Sequence, residues 1–243
     1  MVVMKFKKCF TLIVIMLMKL SVAATVPDQI VITNAGYNGD NTSDLLLRLD
    51  KDVLSKHPQL VVLMVGTNDM LNLRNMLSVK QYQENYQKLI GLIKKHSKLI
   101  LMTIPPVNSE YILEREDPKV YQNTSPQAKV DSANAVIRKL AVKNKCGLVD
   151  LYKILQGCGG STTDKASLFQ NEANSDIKDG VHPTANGYLV IGTAVFQAIN
   201  LLEPKATNII CFGDSITFGY KMHGQGTTQG QPYPAVLSRL LNQ

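Results

Sequence analysis

Two short segments of the chain carry the residue types of nucleophilic catalysis. Gly213-Asp214-Ser215 directly follows an apolar run, and a serine on a tight strand-to-helix turn is exposed enough to act as a nucleophile. Asp179-Gly180-Val181-His182-Pro183 places a carboxylate three residues before a histidine. The carboxylate can then hold one imidazole nitrogen while the other faces a hydroxyl. Each motif alone also fits an ordinary turn. In the first motif, Asp214 would then cap the next helix.

Two further segments offer hydrogen-bond donors for a developing oxyanion. Asn68 stands directly after the most hydrophobic run of the chain, within Gly66-Thr67-Asn68-Asp69. Its side-chain amide and the backbone N–H of Gly36, in Asn34-Ala35-Gly36, are both suitable donors. Asp69 is interpreted as a brace for the loop that carries Asn68. Taken singly, each of these residues is also common in loops that have no catalytic role.

Five apolar runs alternate with amphipathic segments along the chain. Strands are predicted at 29–33, 60–65, 99–104, 147–151 and 208–212, and helices at 41–57, 78–96, 126–144, 184–202 and 234–241. Ser43 is predicted to cap the first helix, and residues 156–176 to form a loop. Strands that are apolar throughout indicate a parallel sheet covered by helices on both faces. The polar segments described above follow the strands, at the edge where sites of such sheets lie.

Together the four segments resemble the blocks of the SGNH, or GDSL-type, hydrolase family. The resemblance implies a three-layer α/β/α flavodoxin-like fold with a five-stranded parallel sheet, and ester hydrolysis that needs no metal or cofactor. It implies Ser215 as the nucleophile, His182 as the general base and Asp179 as the carboxylate that orients it. The implied oxyanion hole consists of the Ser215 N–H, the Gly36 N–H and the Asn68 side chain. Asp214 and Asp69 have supporting roles.

The order of the blocks departs from the family pattern. The family normally begins with its GDS block, whereas here that block comes last, behind the DxxHP segment. A circular permutation explains this order, with the old termini joined near 203–207 and new ones opened before Val26. It predicts that the last strand inserts between the first two. The competing interpretation is a miscalled or truncated chain whose GDS block belongs to the start of a second copy.

The first residues have the pattern of a secretory signal peptide. Lys5, Lys7 and Lys8 precede a ten-residue apolar run, and small residues follow it. We therefore expect a signal peptide at 1–24, cleaved near Ala23 or Ala24, one hydrolase domain at 25–243, and a secreted or periplasmic protein. Removing the signal lowers the net charge from +7 to about +3, with 22 basic and 19 acidic residues. Neither nucleic-acid binding nor membrane insertion of the mature chain is then expected.

The cysteines allow a disulfide but do not indicate a metal site. Cys146 and Cys158 could pair in an oxidising compartment, while Cys211 lies in an apolar run and is expected to be buried. The sequence contains no CxxC or HExxH spacing, so a metal site is not predicted.

Export and the family resemblance favour an acetylated carbohydrate, such as acetylated xylan, as substrate. Tyr37 and the loop 220–233 could hydrogen-bond sugar hydroxyls, although the same loop also fits a flexible connector. A small-ester, lysophospholipid or thioester hydrolase is the alternative. A non-catalytic glycan-binding protein is more distant, and an interaction protein that uses its basic surface more distant still.

Overall fold

A computed structural model describes residues 29–122 and 124–243, and the predicted signal peptide at 1–24 lies outside them. The five strands of the described chain are β1 (Val31–Gly36), β2 (Leu60–Met64), β3 (Lys98–Met102), β4 (Gly147–Val149) and β5 (Asn208–Gly213). The α-helices of the first half are α1 (Thr42–Asp52), α2 (Thr67–Leu71), α3 (Val79–Ile93), α4 (Ser109–Arg115) and α5 (Pro126–Asn144). Those of the second half are α6 (Leu151–Gly157), α7 (Glu172–Ser175), α8 (Ala185–Leu202), α9 (Ser215–Phe218) and α10 (Tyr233–Leu241). Two 3-10 turns occupy Leu54–Lys56 and Pro118–Tyr121.

The strands form one parallel sheet in the order β1-β5-β2-β3-β4. The last strand of the chain therefore lies between the first two, as the sequence predicts. Gly213 at the end of β5 is in register with Gly36 on one side and Met64 on the other. This register brings the ends of β1, β5 and β2 to the same edge of the sheet, where the polar segments begin.

Alternate side chains of the strands point to opposite faces of the sheet and build two hydrophobic layers. Leu63 and Phe212 belong to the layer covered by α1, α3 and α5. Val62 and Cys211 belong to the layer covered by α8 and α10. Every residue of β2 is buried, which explains its uninterrupted run of large apolar residues. The resulting α/β/α sandwich confirms the predicted fold class.

The first strand and helix differ from the sequence prediction in ways that matter for the site. β1 runs on through Asn34, Ala35 and Gly36, which the sequence analysis placed in the loop after it, because all three pair with β5. Asn41, not Ser43, caps α1, since the Asn41 side chain accepts hydrogen bonds from the N–H groups of Ser43 and Asp44. An asparagine two residues earlier in the chain supplies a side-chain oxygen acceptor of the same kind.

Several short helices follow strands where the sequence gives no helical period. α2, α4, α6 and α9 have four to seven residues each, too few for a hydrophobic repeat to show. The predicted loop 156–176 begins with the last two residues of α6 and contains α7, and the rest of it has no regular helix or strand beyond the isolated bridge of Phe169 with Pro183. α8 is long and apolar enough to cross a membrane by composition, yet Tyr188, Ile191 and Val195 on one face are buried in the core.

The three cysteines within the described residues are not paired. Cys146, Cys158 and Cys211 are free thiols, with Cys158 exposed and Cys211 fully buried. The pairing of Cys146 with Cys158 that the sequence left open is therefore absent from the described residues, and Cys211 is buried as expected.

Candidate active site

Ser215, His182 and Asp179 meet at the carboxyl edge of the sheet in one hydrogen-bonded chain. His182 Nε2 lies 2.9 Å from Ser215 Oγ, and His182 Nδ1 lies 2.9 Å from Asp179 Oδ2 and 3.0 Å from Oδ1. The carboxylate thus fixes one ring nitrogen and leaves the other to receive the serine proton. The structure brings together all three residues that the sequence singled out for this chemistry.

The turn before Ser215 is built by a glycine and an aspartate. A side chain on Gly213 would stand 2.2 Å from Met64 O and 2.3 Å from Thr217 Oγ1, so only glycine fits this turn. Asp214 caps α9 by accepting a hydrogen bond from Ile216 N. This is the capping role that the sequence allowed for Asp214. Ser215 is then the first residue of α9, with 9% of its surface exposed.

The loop that carries His182 is held mainly through backbone groups. Asp179 Oδ1 accepts hydrogen bonds from Val181 N at 2.9 Å and from His182 N at 2.7 Å. Gln170 pairs with the same loop, because Gln170 N donates to His182 O and Gly180 N donates to Gln170 O. The carboxylate therefore shapes its own turn as well as orienting the imidazole.

Asp179 is held in its charged form although it is largely buried. Burial alone works against ionisation, but the hydrogen bonds and charge of His182, together with the N–H of Val181, outweigh it and lower the pKa of Asp179. A carboxylate that stays ionised stabilises a protonated imidazole beside it. Such stabilisation is needed while the imidazole holds the proton of a serine.

Gln170 is a residue of this site that sequence reasoning missed. Its side chain is 2% exposed, and its amide nitrogen donates to Pro183 O at 3.0 Å and to Tyr220 O at 3.3 Å. It thereby joins the loop of His182 to the segment that follows Ser215. The only signal in the sequence is a glutamine within an otherwise irregular polar stretch. The ring of Tyr220 also packs on His182, with the ring centres 4.7 Å apart.

The groups on the other side of Ser215 only partly match the predicted oxyanion hole. Asn68 is the second residue of α2, and its amide nitrogen donates to Asp40 O at 2.8 Å, which leaves its second N–H free. Gly36 N–H, by contrast, donates to Asn34 Oδ1 at 3.0 Å. A backbone amide has one hydrogen, so the structure does not fit Gly36 as an oxyanion donor.

Gly39 offers the donor that Gly36 does not. It lies with φ at +84° in the turn next to Asp40, the residue whose carbonyl holds Asn68. Within residues 29–122 and 124–243 neither Gly39 N–H nor Ser215 N–H has a hydrogen-bond acceptor. Ser215, Asn68 and Gly39 therefore each offer a free N–H group at this edge of the sheet.

Asp69 and Asp214 are buried carboxyls beside the site that do not touch Ser215 Oγ. Asp69 accepts hydrogen bonds from the N–H and hydroxyl of Thr42, so it ties α2 to the start of α1 and in this way braces the segment of Asn68. Burial raises the pKa of Asp69 to about 6 and that of Asp214 to about 7. Asp69 is therefore mostly neutral below about pH 6 and Asp214 below about pH 7, opposite to Asp179.

A cavity of about 280 Å³ opens beside Asn68 and His182. Its lining includes the apolar residues Leu71, Ile112 and Val181 together with polar residues. The other lining residues are Thr67, Asn72, Arg115 and Glu116. A substrate carbonyl at Ser215 can therefore have one of its substituents in this cavity. Among the described residues, no group of three or more His, Cys, Asp or Glu side chains is placed to hold a metal ion.

Comparison with known proteins gives the class to which this site belongs. The sequence profile of the GDSL-like lipase/acylhydrolase family matches residues 19–190. The uncharacterized lipoprotein YqeF of Bacillus subtilis is 30% identical over 172 residues, covering 66% of this chain and 70% of that protein. The chain belongs to the GDSL-like lipase/acylhydrolase family and is a carboxylic ester hydrolase.

Solved structures share its fold. The lipase/acylhydrolase from Enterococcus faecalis is 27% identical with a TM-score of 0.53, covering 69% of this chain and 74% of that one. A catalytic mutant of Axe2, an acetylxylan esterase from Geobacillus stearothermophilus, is 21% identical with a TM-score of 0.52, covering 66% and 68%. The profile match ends at residue 190, so β5 and Ser215 lie beyond it.

Proposed function

We propose that the protein hydrolyses esters through an acyl-enzyme on Ser215. The observation that carries this proposal is the chain of hydrogen bonds from Asp179 through His182 to Ser215 Oγ. Ser215 Oγ attacks the ester carbonyl carbon while His182 Nε2 takes its proton. His182 then returns that proton to the departing alcohol, and a water molecule, deprotonated by His182, releases the acid and restores the serine.

The negative charge that forms on the carbonyl oxygen is stabilised by three N–H groups. We assign these to Ser215 N, the Asn68 side chain and Gly39 N, with Gly39 in place of the Gly36 expected from sequence. The free N–H of Gly39 and its position beside Asp40, which holds Asn68, support this assignment. Fixed donors of this kind need no reorganisation when the charge appears.

Acetyl groups on a carbohydrate such as xylan are the substrate we propose. Two features support it: the likeness of fold to an acetylxylan esterase, and polar groups suited to sugar hydroxyls around the site. Tyr37 is 52% exposed, and Tyr220 packs against His182 at the start of the loop 220–232. The loop is internally tied, since Gly226 N donates to Phe218 O and Gln231 N to His223 O. A tied loop loses little freedom when it binds a sugar.

A small-ester, lysophospholipid or thioester hydrolase is the second candidate. The cavity beside His182 favours those of its members that carry a long acyl chain, because about 280 Å³ lined in part by apolar residues exceeds the need of an acetyl group. The two candidates differ in what fills this cavity, a sugar ring or an acyl chain.

Acid release from a panel of substrates tests these proposals. The panel contains acetylated xylan, acetylated sialic acid and esters of graded chain length, each assayed with the parent protein and with Ser215→Ala. We expect acetate from acetylated xylan at the highest kcat/KM, and a loss of at least about 10³-fold in kcat for Ser215→Ala. A preference for long acyl chains supports the second candidate. Equal rates for parent and variant would contradict the serine mechanism, and glycan binding without acid release would favour a binding protein.

We also propose that the protein is exported and that residues 1–24 are removed. The basic start and apolar run of the sequence support this, as does the likeness to a protein named a lipoprotein. The expected result is a mature protein that begins at Ala24 or Thr25, found by mass spectrometry outside the cytoplasm. An intact N-terminus on cytoplasmic protein would contradict the proposal.

The block order is explained, we propose, by a circular permutation. Three observations support it: β5 lies between β1 and β2, the family profile ends before β5, and the two ends of the described chain touch. Ile30 N donates to Asn242 Oδ1 at 2.9 Å, and Asn242 Nδ2 donates to Ile30 O at 3.0 Å. A chain that starts at Lys205, continues from Gln243 through a short linker to Gln29, and ends at Glu203 should fold and remain active. A fragment that ends before Asn208 and is still folded and active would refute the need for β5.

A further inference from the structure

One extensively bonded side chain near the site has no role in the hydrolysis proposed above. Arg48 lies on α1, and 15% of its side chain is exposed. Its guanidinium donates to Asp40 Oδ2 at 2.6 Å, to Asp52 Oδ2 at 3.0 Å, to Ala35 O at 3.0 Å and to Gly213 O at 2.8 Å. An arginine on a surface helix that only provided solubility would be far more exposed.

The acceptors of Arg48 come from the segments that surround the oxyanion donors. Ala35 O lies at the end of β1, and Gly213 O at the end of β5, two residues before Ser215. Asp40 belongs to the turn between β1 and α1, and its carbonyl accepts the hydrogen bond of Asn68. One guanidinium therefore fixes both strand ends and the turn on which Asn68 and Gly39 depend.

Two aromatic rings enclose the same guanidinium. Arg48 Cζ lies 4.5 Å from the ring centre of Tyr37 and 4.7 Å from that of Phe212. The contacts with the two ring faces restrict the tilt of the guanidinium plane, and the four hydrogen bonds restrict its rotation. A lysine has neither the planar shape nor enough donors to reach all four acceptors from one position.

We propose that Arg48 is the positioning residue of the oxyanion hole, acting through Asp40 on Asn68 and Gly39. The proposal rests on the proposed ester hydrolysis, because it concerns the same tetrahedral intermediate. Arg48 does not touch the substrate. It holds the donors at the distance that the oxyanion requires, and small displacements of such groups are costly to the rate.

A double-mutant cycle with Asn68 tests this role. Arg48→Met retains much of the side-chain volume but none of the four donations, and we expect kcat/KM to fall about 10- to 100-fold with a smaller change in KM. In the Asn68→Ala background the same change should cost clearly less than in the parent, because one of the two donors that Arg48 positions is already absent. The pH profile of kcat/KM should keep its shape, since Asp179 and His182 are untouched.

Two further variants keep the test decisive. Arg48→Lys retains the charge and is expected to fold, with a loss of activity between those of the parent and Arg48→Met. Arg138→Met is the matched control, because Arg138 makes two hydrogen bonds to Asp150 and faces the ring of Tyr152, at the end of β4 rather than at Ser215. We expect it to melt at a lower temperature with unchanged kcat/KM.

The outcomes separate this inference from the proposed function. Equal losses for Arg48→Met with and without Asn68 would overturn the positioning role, as would parent-like activity of folded Arg48→Lys and Arg48→Met. In either case a Ser215→Ala variant without activity leaves the esterase proposal intact. If the parent protein released acid from every ester no faster than Ser215→Ala, the proposed function itself would be wrong.

Discussion

The two sides of Ser215 are built from different kinds of groups. On one side, Asp179 and His182 lie in a turn held by backbone N–H groups, and in the proposed mechanism His182 exchanges a proton with the serine while Asp179 stays ionised. On the other side, Arg48 and Asn68 hold one another through Asp40 and lose no proton in the reaction. One side must move a proton, and the other must keep fixed dipoles in place. Damage to the two sides should therefore be distinguishable by its dependence on pH.

Asp179→Asn should give the largest effect on the proton-transfer side. An amide cannot stabilise a protonated imidazole and permits the wrong tautomer, so we expect kcat to fall on the order of 10⁴-fold and the pH–rate profile to change shape. Asp150→Asn, at the end of β4, is the control and should leave that profile unchanged. Rates of Asp179→Asn within a few-fold of the parent would show that His182 does not depend on this carboxylate.

Asn68→Ala should give the next largest effect, on the oxyanion side. Removing one donor from such a site costs about 10²- to 10³-fold in kcat, and the pH–rate profile should match that of the parent. Asn144→Ala is the control, because the Asn144 amide bonds Gln87 and Leu140 far from Ser215. A profile that shifted as in Asp179→Asn would contradict the division between the two sides.

The two sides also differ in how far sequence could predict them. Asp179, His182 and Ser215 belong to short motifs whose residue types indicate nucleophilic catalysis. The structure brings these three residues together. Arg48 stands between Leu45 and Leu49 of α1 and resembles a residue at the border of an apolar face. Its bonds to Ala35 and Gly213 exist only because β5 pairs with β1, which no local pattern encodes.

The same limit explains the errors in the predicted elements. Long apolar runs and helical periods gave the five strands and the main helices, because burial imposes those patterns directly. The extension of β1 through Gly36 depends on pairing with Gly213, and the choice between Gly36 and Gly39 depends on which N–H the Asn34 side chain occupies. Contacts between distant segments decide such details.

Gln170→Leu should give a smaller loss, because it loosens the contact between the loop of His182 and the segment after Ser215 without removing a group from either side of the site. The variant loses the donations to Pro183 and Tyr220, while the backbone pairing of residue 170 with His182 remains. We expect about a 10-fold loss in kcat/KM from the less exact placement of His182 against Ser215. Gln170→Met, which has a similar length without the donors, should behave alike. Parent-like kinetics in both variants would assign Gln170 to the loop fold alone.

Asp214→Asn should give the smallest effect on rate and a clear effect on the pH dependence of stability. Asp214 is fully buried, its Oδ2 has no hydrogen-bond partner among the described residues, and burial raises its pKa to about 7. Between its usual value of 3.8 and 7, the native protein retains a proton that the unfolded chain releases. The free energy of unfolding therefore falls as pH rises through this window.

An asparagine at 214 can still accept the hydrogen bond of Ile216 N and cannot titrate, so part of that slope should disappear. We expect the loss of stability of the parent between pH 5 and pH 8 to exceed that of Asp214→Asn by on the order of 2 kcal/mol, measured by urea unfolding. Asp69 has its pKa raised to about 6 in both proteins. Its titration should therefore still make the free energy of unfolding fall with rising pH in both. The exposed Asp50 provides the control, since Asp50→Asn should retain the parent slope. Equal slopes for the parent and Asp214→Asn would mean that Asp214 is ionised in the native protein, and would place a second charged carboxylate, besides Asp179, beside the serine.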